Sequence, residues 1–145
     1  MHTWDELDYG EWLDEDEFFI EVPNKNSYEP LTITLSDWQI TLFWEDWHQH
    51  FDATNYDYEV FLDRLQGLLE NRYCILKAYQ PRKMQKNQKR QTYKEVAWFI
   101  STQTYTKDSD KKKIFKEFAV MKKDFPNICR IKVVYWDAER SFTIE

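Results

Sequence analysis

The sequence predicts an α+β fold, in which an antiparallel sheet built from β-hairpins carries two helices, at about residues 55–71 and 109–124, on one face. Two observations predict this class. Apolar residues alternate with period two in pairs of segments that are separated by turn residues, as in half-buried hairpin strands. Between these pairs, two other segments repeat their apolar residues at helical spacing, and each such stripe has to be buried against the sheet. The length of 145 residues fits a single domain, 1–145, with an acidic N-terminal arm at about residues 1–17.

The first hairpin is predicted at residues 31–44. The run LTITL alternates over residues 31–35, Ser36-Asp37 is the expected turn, and the alternation resumes over residues 38–44. After residue 44 the apolar side chains move from even to odd positions, which a strand permits only at a bulge or a turn. We therefore expect a turn at Glu45-Asp46, with a turn of helix as the alternative.

The other elements follow from the same reasoning. The first helix is expected to begin at an N-cap, either Asp52 or Asn55, and to contain a weak point at Gly67. Pro126 ends the second helix. The predicted strands outside the first hairpin are Phe18–Val22, Tyr73–Tyr79, Thr92–Tyr105, Ile128–Trp136 and Ser141–Glu145.

Charge is distributed unevenly along the chain. Residues 1–80 carry 18 acidic and 4 basic side chains, a net charge of −14. Residues 81–145 carry 16 basic and 8 acidic side chains, a net charge of +8. Two such halves either neutralise each other within the molecule or attract partners of opposite charge.

The acidic N-terminal segment is the candidate partner-binding region. Residues 1–21 contain nine carboxylates and no Lys or Arg, with aromatic residues interleaved. Aromatic side chains can anchor such a segment on its own domain or on a partner. The candidate partner-binding residues are Trp4, Asp8, Trp12, Asp14, Glu15, Asp16 and Glu17, together with Trp47.

A second candidate site is the pair His48 and His50. On an extended chain both side chains point to the same side, and Asp52 follows on that side. Two imidazoles and a carboxylate suit Zn²⁺ or Fe²⁺, so these three residues are candidate metal ligands. The alternative is that both histidines form local hydrogen bonds at the end of a strand.

Other catalytic chemistry finds little support in the sequence. Cys74 and Cys129 lie in apolar runs without a neighbouring histidine, which predicts two buried thiols rather than nucleophiles or zinc ligands. The chain has only two glycines and no phosphate-binding glycine loop. We therefore expect no catalytic residues and no cofactor.

The basic loop at residues 82–94 suggests nucleic-acid binding. It holds six Lys and Arg side chains, enough to contact several phosphates. Because the whole chain is acidic and the loop lacks the aromatic residues on which bases stack, the sequence favours a solvated loop or one paired with the acidic arm.

One short motif resembles a known group of proteins. Trp47-His48-x-His50-Phe51-Asp52, after an apolar strand and before an amphipathic helix, is similar to a pattern in small bacterial proteins of unassigned function. Some of those proteins look like immunity proteins of polymorphic toxin systems. The resemblance covers a short part of the chain and implies a non-enzymatic protein that binds a partner.

The leading prediction is therefore a cytoplasmic, non-enzymatic protein-interaction module of the immunity or antitoxin type. Its acidic half would bind a basic partner such as a nuclease toxin. The alternatives are a metal-dependent enzyme that uses His48 and His50, and a protein that binds nucleic acid through loop 82–94. The sequence shows neither a signal peptide nor an apolar run long enough to span a bilayer, so no membrane partner is expected, and a homodimer stays open.

Overall fold

The computed structural model describes residues 11–14, 17–25, 29–36 and 38–145, with side chains from residue 18 onward. The described part is an α+β fold with two antiparallel sheets and two α-helices, which confirms the predicted class. The elements, in chain order, are β1 (Glu11–Asp14), β2 (Glu17–Val22), β3 (Leu31–Ser36), β4 (Gln39–Trp44), β5 (Trp47–Asp52), α1 (Asn55–Leu69), β6 (Cys74–Pro81), β7 (Tyr93–Ser101), α2 (Lys111–Glu117), β8 (Arg130–Val134) and β9 (Phe142–Ile144).

The two sheets differ in topology. The first sheet is a meander in the order β1-β2-β3-β4-β5, so every strand pairs with its neighbours along the chain. The second sheet has the order β7-β6-β8-β9, which places β6 between its hairpin partner β7 and the distant strand β8. Because β6 is an inner strand, it has a neighbouring strand on each side and is shielded from solvent there.

The structure differs from the predicted architecture in how the helices pack. Residues 74–78 of β6 are all buried, so both faces of the second sheet need a cover. On one face Leu76 packs with Ile114 and Phe118 near α2. On the other face Ile75 packs with Leu68 of α1 and with residues of the first sheet. Instead of one sheet with both helices on one face, the second sheet is therefore the central layer between two hydrophobic cores.

The turns of the first sheet explain why the apolar residues move from even to odd positions after residue 44. Trp44 pairs directly with Trp47, so Glu45 and Asp46 form the predicted turn, and the alternative of a helical turn is wrong. The other predicted turn is displaced by one residue, because Ser36 pairs with Gln39 and still belongs to β3. Trp38 therefore lies in the turn between β3 and β4 and not in the strand, whereas Asp37 lies outside the described residues.

Helix α1 begins and ends with local hydrogen bonds. The N-cap is Thr54 rather than Asp52 or Asn55, because the Thr54 hydroxyl accepts a hydrogen bond from the Asp57 amide at 3.1 Å. At the other end, Asn71 has a φ of 60° and the amides of Arg72 and Tyr73 donate to the carbonyl of Gly67. This left-handed residue is a common way to end a helix.

The second predicted helix is shorter than expected. Regular α-helix covers only Lys111–Glu117, and a 3₁₀ turn follows at Met121–Lys123. Among the described residues, no helix is both long and apolar enough to cross a membrane.

Gly67 is a packing requirement rather than a weak point. A Cβ atom added there would lie 2.1–2.6 Å from three carbon atoms of the Tyr73 ring. That ring is held in place, because its hydroxyl donates to the Asp63 carboxylate at 2.8 Å and two arginines lie over its faces. The glycine thus allows the segment after α1 to pack closely on the helix.

We expect Gly67→Ala to destabilise the protein by about 1–3 kcal/mol, because the clash outweighs the gain in helix propensity of about 1 kcal/mol. The free energy of unfolding in urea measures this. In a Tyr73→Ala background the same Gly67→Ala change is expected to be neutral or stabilising. A stability gain from Gly67→Ala in the otherwise unchanged protein would contradict the packing role.

Candidate functional site

One end of the first sheet combines acidic positions with exposed aromatic side chains. A single register row crosses all five strands there, through Asp14, Glu17, Ser36, Gln39 and Asp52. Three of these five positions are carboxylate residues. The row shows that the acidic N-terminal segment and the end of β5 meet at the same end of the sheet.

Trp38 lies directly beside this row. Its side chain is 85% exposed and its φ is 64°, in the left-handed region. A two-residue hairpin turn favours Gly, Asn or Asp at such positions, because a bulky side chain with positive φ costs roughly 1–2 kcal/mol. The backbone conformation at this position thus disfavours tryptophan, and the exposed side chain gains little stabilisation from packing.

Helix α1 begins at the same end of the sheet. The amide of Asp52 donates to the Asp57 carboxylate at 2.8 Å, and Gln39 donates to the Asp52 carboxylate at 3.3 Å. These bonds connect the end of β5 to the first turn of α1, where Tyr56 is 75% exposed, and Glu59 in the second turn is also exposed. We call Trp38, Asp52, Tyr56 and Glu59 the Trp38 surface.

The predicted partner-binding residues have different outcomes. Trp4, Asp8, Glu15 and Asp16 lie outside the described residues. Trp12 and Asp14 lie in β1 and Glu17 in β2, at the backbone positions given above. Trp47 cannot be a partner contact as predicted, because its side chain is only 6% exposed and packs in the core between the first sheet and α1.

His48 and His50 share the outer face of the first sheet, as the alternation predicts. Their ring centroids are 5.2 Å apart, and the His48 ring stacks on Phe43. His50 Nδ1 is hydrogen-bonded to the Thr41 hydroxyl at 2.7 Å, whereas the Asp52 carboxylate accepts from Gln39. Within the described ranges, no group of three or more His, Cys, Asp or Glu side chains is arranged to hold a metal ion. These contacts agree with local hydrogen bonding on a strand.

The cysteines also differ from one another. Cys74 is buried, and burial raises the pKa of its thiol to about 12. Cys129 is exposed, so the prediction of two buried thiols is wrong for this residue. It lies between the buried Ile128 and the start of β8, and its backbone amide donates to the Tyr79 carbonyl at 3.0 Å. The side chain of Cys129 therefore points away from the core that Ile128 enters.

The strongest electrostatic feature was not predicted from the sequence. Lys77 lies in β6 with a side chain only 7% exposed, and its Nζ atom donates to the carboxylates of Glu45 and Asp46, each at 3.0 Å. Glu95 of β7 lies 3.7 Å from the same Nζ and accepts a hydrogen bond from the Tyr79 hydroxyl at 3.1 Å. The turn of the β4–β5 hairpin is thereby attached to the second sheet.

The pKa values of this cluster follow from burial and from the shared contacts. Burial alone would lower the pKa of Lys77, but the hydrogen bonds to Glu45 and Asp46 outweigh it and raise the pKa above its ordinary value. Burial raises the pKa of Glu95, and its contact with Asp46 adds to this. The same contact, together with Lys77, lowers the pKa of Asp46. The two carboxyl groups therefore bind a proton at Glu95 in preference to Asp46.

A signal for this cluster exists in the sequence, although it is weak. Lys77 is the single charged residue within the apolar run from Tyr73 to Tyr79, and a charge in a buried strand requires a partner. The sequence could not identify that partner, because Glu45 and Asp46 are two of 18 acidic residues in the first 80.

We expect Lys77→Met to lower the free energy of unfolding by about 2–3 kcal/mol, since it leaves three neighbouring carboxyl groups without their cation. Lys94→Met is the matched control, because Lys94 is an exposed lysine of the same sheet and forms no ion pair with a described residue. That change is expected to stay within about 0.5 kcal/mol. Urea unfolding of both variants measures the difference, and equal effects would contradict the role assigned to Lys77.

The raised pKa of Glu95 also predicts a pH dependence. A group whose folded pKa is above its unfolded value stabilises the fold at low pH, and this contribution is lost as the pH rises through the folded pKa. Wild-type stability is therefore expected to decline above the ordinary glutamate pKa of 4.5. The lowered pKa of Asp46 acts in the opposite direction and reduces stability below 3.8.

Glu95→Gln separates these two effects, because the amide can donate to Asp46 at every pH. The variant is expected to lose the decline above pH 4.5 and to keep the acid-side loss. Unfolding free energies measured from about pH 3 to about pH 9 test this. Parallel pH profiles for the variant and the wild type would show that Glu95 does not carry the dependence.

Comparison with known proteins adds no family to this description. No protein-family model matches the chain, and no curated protein or solved structure matches it either. The arrangement of the chain's own residues is therefore the basis on which a function is assigned.

Proposed function

We propose that this protein is a non-enzymatic interaction module that binds a basic protein partner through the Trp38 surface. The observation that carries the proposal is the 85% exposure of Trp38 at a φ of 64°. A large apolar side chain that is exposed to solvent on a strained backbone lowers the stability of the isolated protein. Such a residue is accounted for when it inserts into a partner.

Charge determines the kind of partner. Asp52 pairs with Gln39, the residue after Trp38, and the register row adds Asp14 and Glu17 at the same end of the sheet. Glu59 is an exposed acidic residue near the start of α1, which follows β5 at this end. A basic partner would be steered to this end by its charge, and the aromatic side chains would form the desolvated centre of the contact. Tryptophan and tyrosine are the residue types most often found at such centres.

The specific form of the proposal is an intracellular immunity or antitoxin role, in which the basic partner is a nuclease toxin. Nucleases carry basic clefts that bind phosphates, and an acidic surface can occupy such a cleft. The WHxHFD resemblance supports this form, as does the placement of acidic positions from β1, β2 and β5 at one end of the sheet. A metal-dependent reaction at His48 and His50 gains no support from their contacts with Phe43 and Thr41.

The proposal predicts that stability and binding respond in opposite directions to one substitution. Trp38→Gly is expected to raise the free energy of unfolding by about 1 kcal/mol, because glycine adopts a positive φ without strain. The same variant is expected to bind the partner at least tenfold more weakly, which corresponds to about 1.4 kcal/mol for a hot-spot residue. Urea unfolding and calorimetric titration measure the two effects.

The partner is first captured on immobilised wild-type protein at low salt, eluted by raising the salt, identified by mass spectrometry and purified. Val120→Ser is the matched control, because it removes a side chain that is 81% exposed but lies outside the Trp38 surface. Glu59→Lys is expected to slow association and to reduce its salt dependence. A partner whose affinity is the same for wild type, Trp38→Gly and Glu59→Lys would refute the assignment of this surface.

A further inference from the structure

A second charged surface lies on the loop between β6 and β7. Its cationic side chains are all exposed, and none forms an ion pair within the part of the chain that the structure describes. They are Arg82, Lys83, Lys86, Lys89, Arg90 and Lys94, and we call them the basic loop. No acidic residue occurs between Lys77 and Glu95, so the six positive charges have no compensating charge in the loop itself.

The backbone of the loop is held by neutral side chains. The Gln91 amide donates to the carbonyls of Arg82 and Thr92, at 2.7 and 2.8 Å, and Gln88 donates to the Thr92 hydroxyl at 3.3 Å. The backbone amide of Arg82 also donates to the Thr92 carbonyl at 2.9 Å. Because glutamine side chains and the backbone make these hydrogen bonds, the loop does not need its lysine side chains to hold its conformation.

Two described carboxylates near the base of the loop already have partners. Glu95 contacts Tyr79 and Lys77, and Glu145 is paired with Arg130. The Arg130 guanidinium lies 3.7 Å from the centre of the Tyr93 ring, so it covers the aromatic ring nearest to the loop. Among the described residues, no carboxylate therefore neutralises the basic loop, and the Tyr93 ring beside it is covered by Arg130.

We propose that the basic loop binds the phosphate backbone of duplex nucleic acid without reading its sequence. The loop extends the antiparallel pair β6–β7, with cations on both arms and Lys86 between them. A two-stranded ribbon fits the major groove of a duplex, and the irregular loop at the end of the β6–β7 ribbon would bring its lysines and arginines to phosphates on either side. Single-stranded nucleic acid is the poorer fit, because its binding relies on aromatic rings that stack on the bases.

This surface is separate from the Trp38 surface, and the inference goes beyond the proposed function. Trp38 lies at one end of β4, and the Glu45-Asp46 turn lies at the other end, where it contacts Lys77. The basic loop begins beyond Lys77 along β6. The molecule thus carries opposite charges at two distant places, each available to its own partner.

The test is a titration of a short fluorescent duplex of mixed sequence, followed by anisotropy at a series of salt concentrations. The test variant is Lys86→Gln/Lys89→Gln/Arg90→Gln. The control, Lys111→Gln/Lys112→Gln/Lys116→Gln, changes the net charge equally at exposed positions of α2. Loss of three phosphate contacts is expected to weaken binding at least tenfold and to reduce the slope of log K against log salt by about three, whereas the control stays within about twofold of wild type.

Three results would overturn the proposal. They are absence of duplex binding by the wild type at low salt, equal losses in the two triple variants, and displacement of the duplex by polyglutamate at equal charge concentration. The last result would assign the loop to an acidic protein instead. Trp38→Gly is expected to bind the duplex as the wild type does, so failure of this inference and failure of the proposed function are distinguishable.

Discussion

The buried ammonium group of Lys77 is the constraint on which the arrangement of the two sheets depends. It lies in the inner strand β6, where a charge without partners would cost several kcal/mol. Its partners come from both sheets, since Glu45 and Asp46 belong to the β4–β5 turn and Glu95 belongs to β7. The first sheet is therefore positioned on the second by an ion-pair cluster in addition to the apolar core that α1 shares with both. Hydrogen bonds depend more on direction than apolar contacts do, so two of 3.0 Å from one nitrogen restrict where the turn lies.

This cluster also determines which charges remain for recognition. The acidic side chains at the junction of the sheets are used by Lys77, and Glu145 is used by Arg130. Within the part of the chain that the structure describes, the acidic residues of the Trp38 surface and the cations of the basic loop form no ion pair. Between described residues, the ion pair of Lys77 with Glu95 joins the two parts of the sequence, and the other ion pairs lie within one part. Asp52, Glu59 and the six cations of the basic loop are all exposed to solvent.

The sequence predicted the elements better than it predicted their assembly. Periodicity identified the β3–β4 hairpin, helix α1 and the turn at Glu45-Asp46, because local patterns carry local structure. Periodicity could not show that β6 pairs with β8, since β7 and α2 lie between the two strands in the chain and alternation does not identify a strand's partner. Trp38 was assigned to a strand because alternation alone does not mark where a strand ends, and Trp47 was assigned to the surface because its burial depends on α1. The partners of Lys77 were hidden for a similar reason, as contacts between residues more than 30 positions apart leave no local pattern.

The meander of the first sheet has a consequence for the order of folding. Its strands pair only with their immediate neighbours in the chain, and β3, β4 and β5 are joined by short turns. The β6–β8 pairing, in contrast, must close a loop that includes β7 and α2. Local contacts form faster than distant ones, because less chain entropy is lost before they are made. The first sheet therefore assembles before the second, and the Glu45-Asp46 turn is in place when β6 folds. The ion-pair cluster with Lys77 forms late, so its loss changes the unfolding rate more than the folding rate.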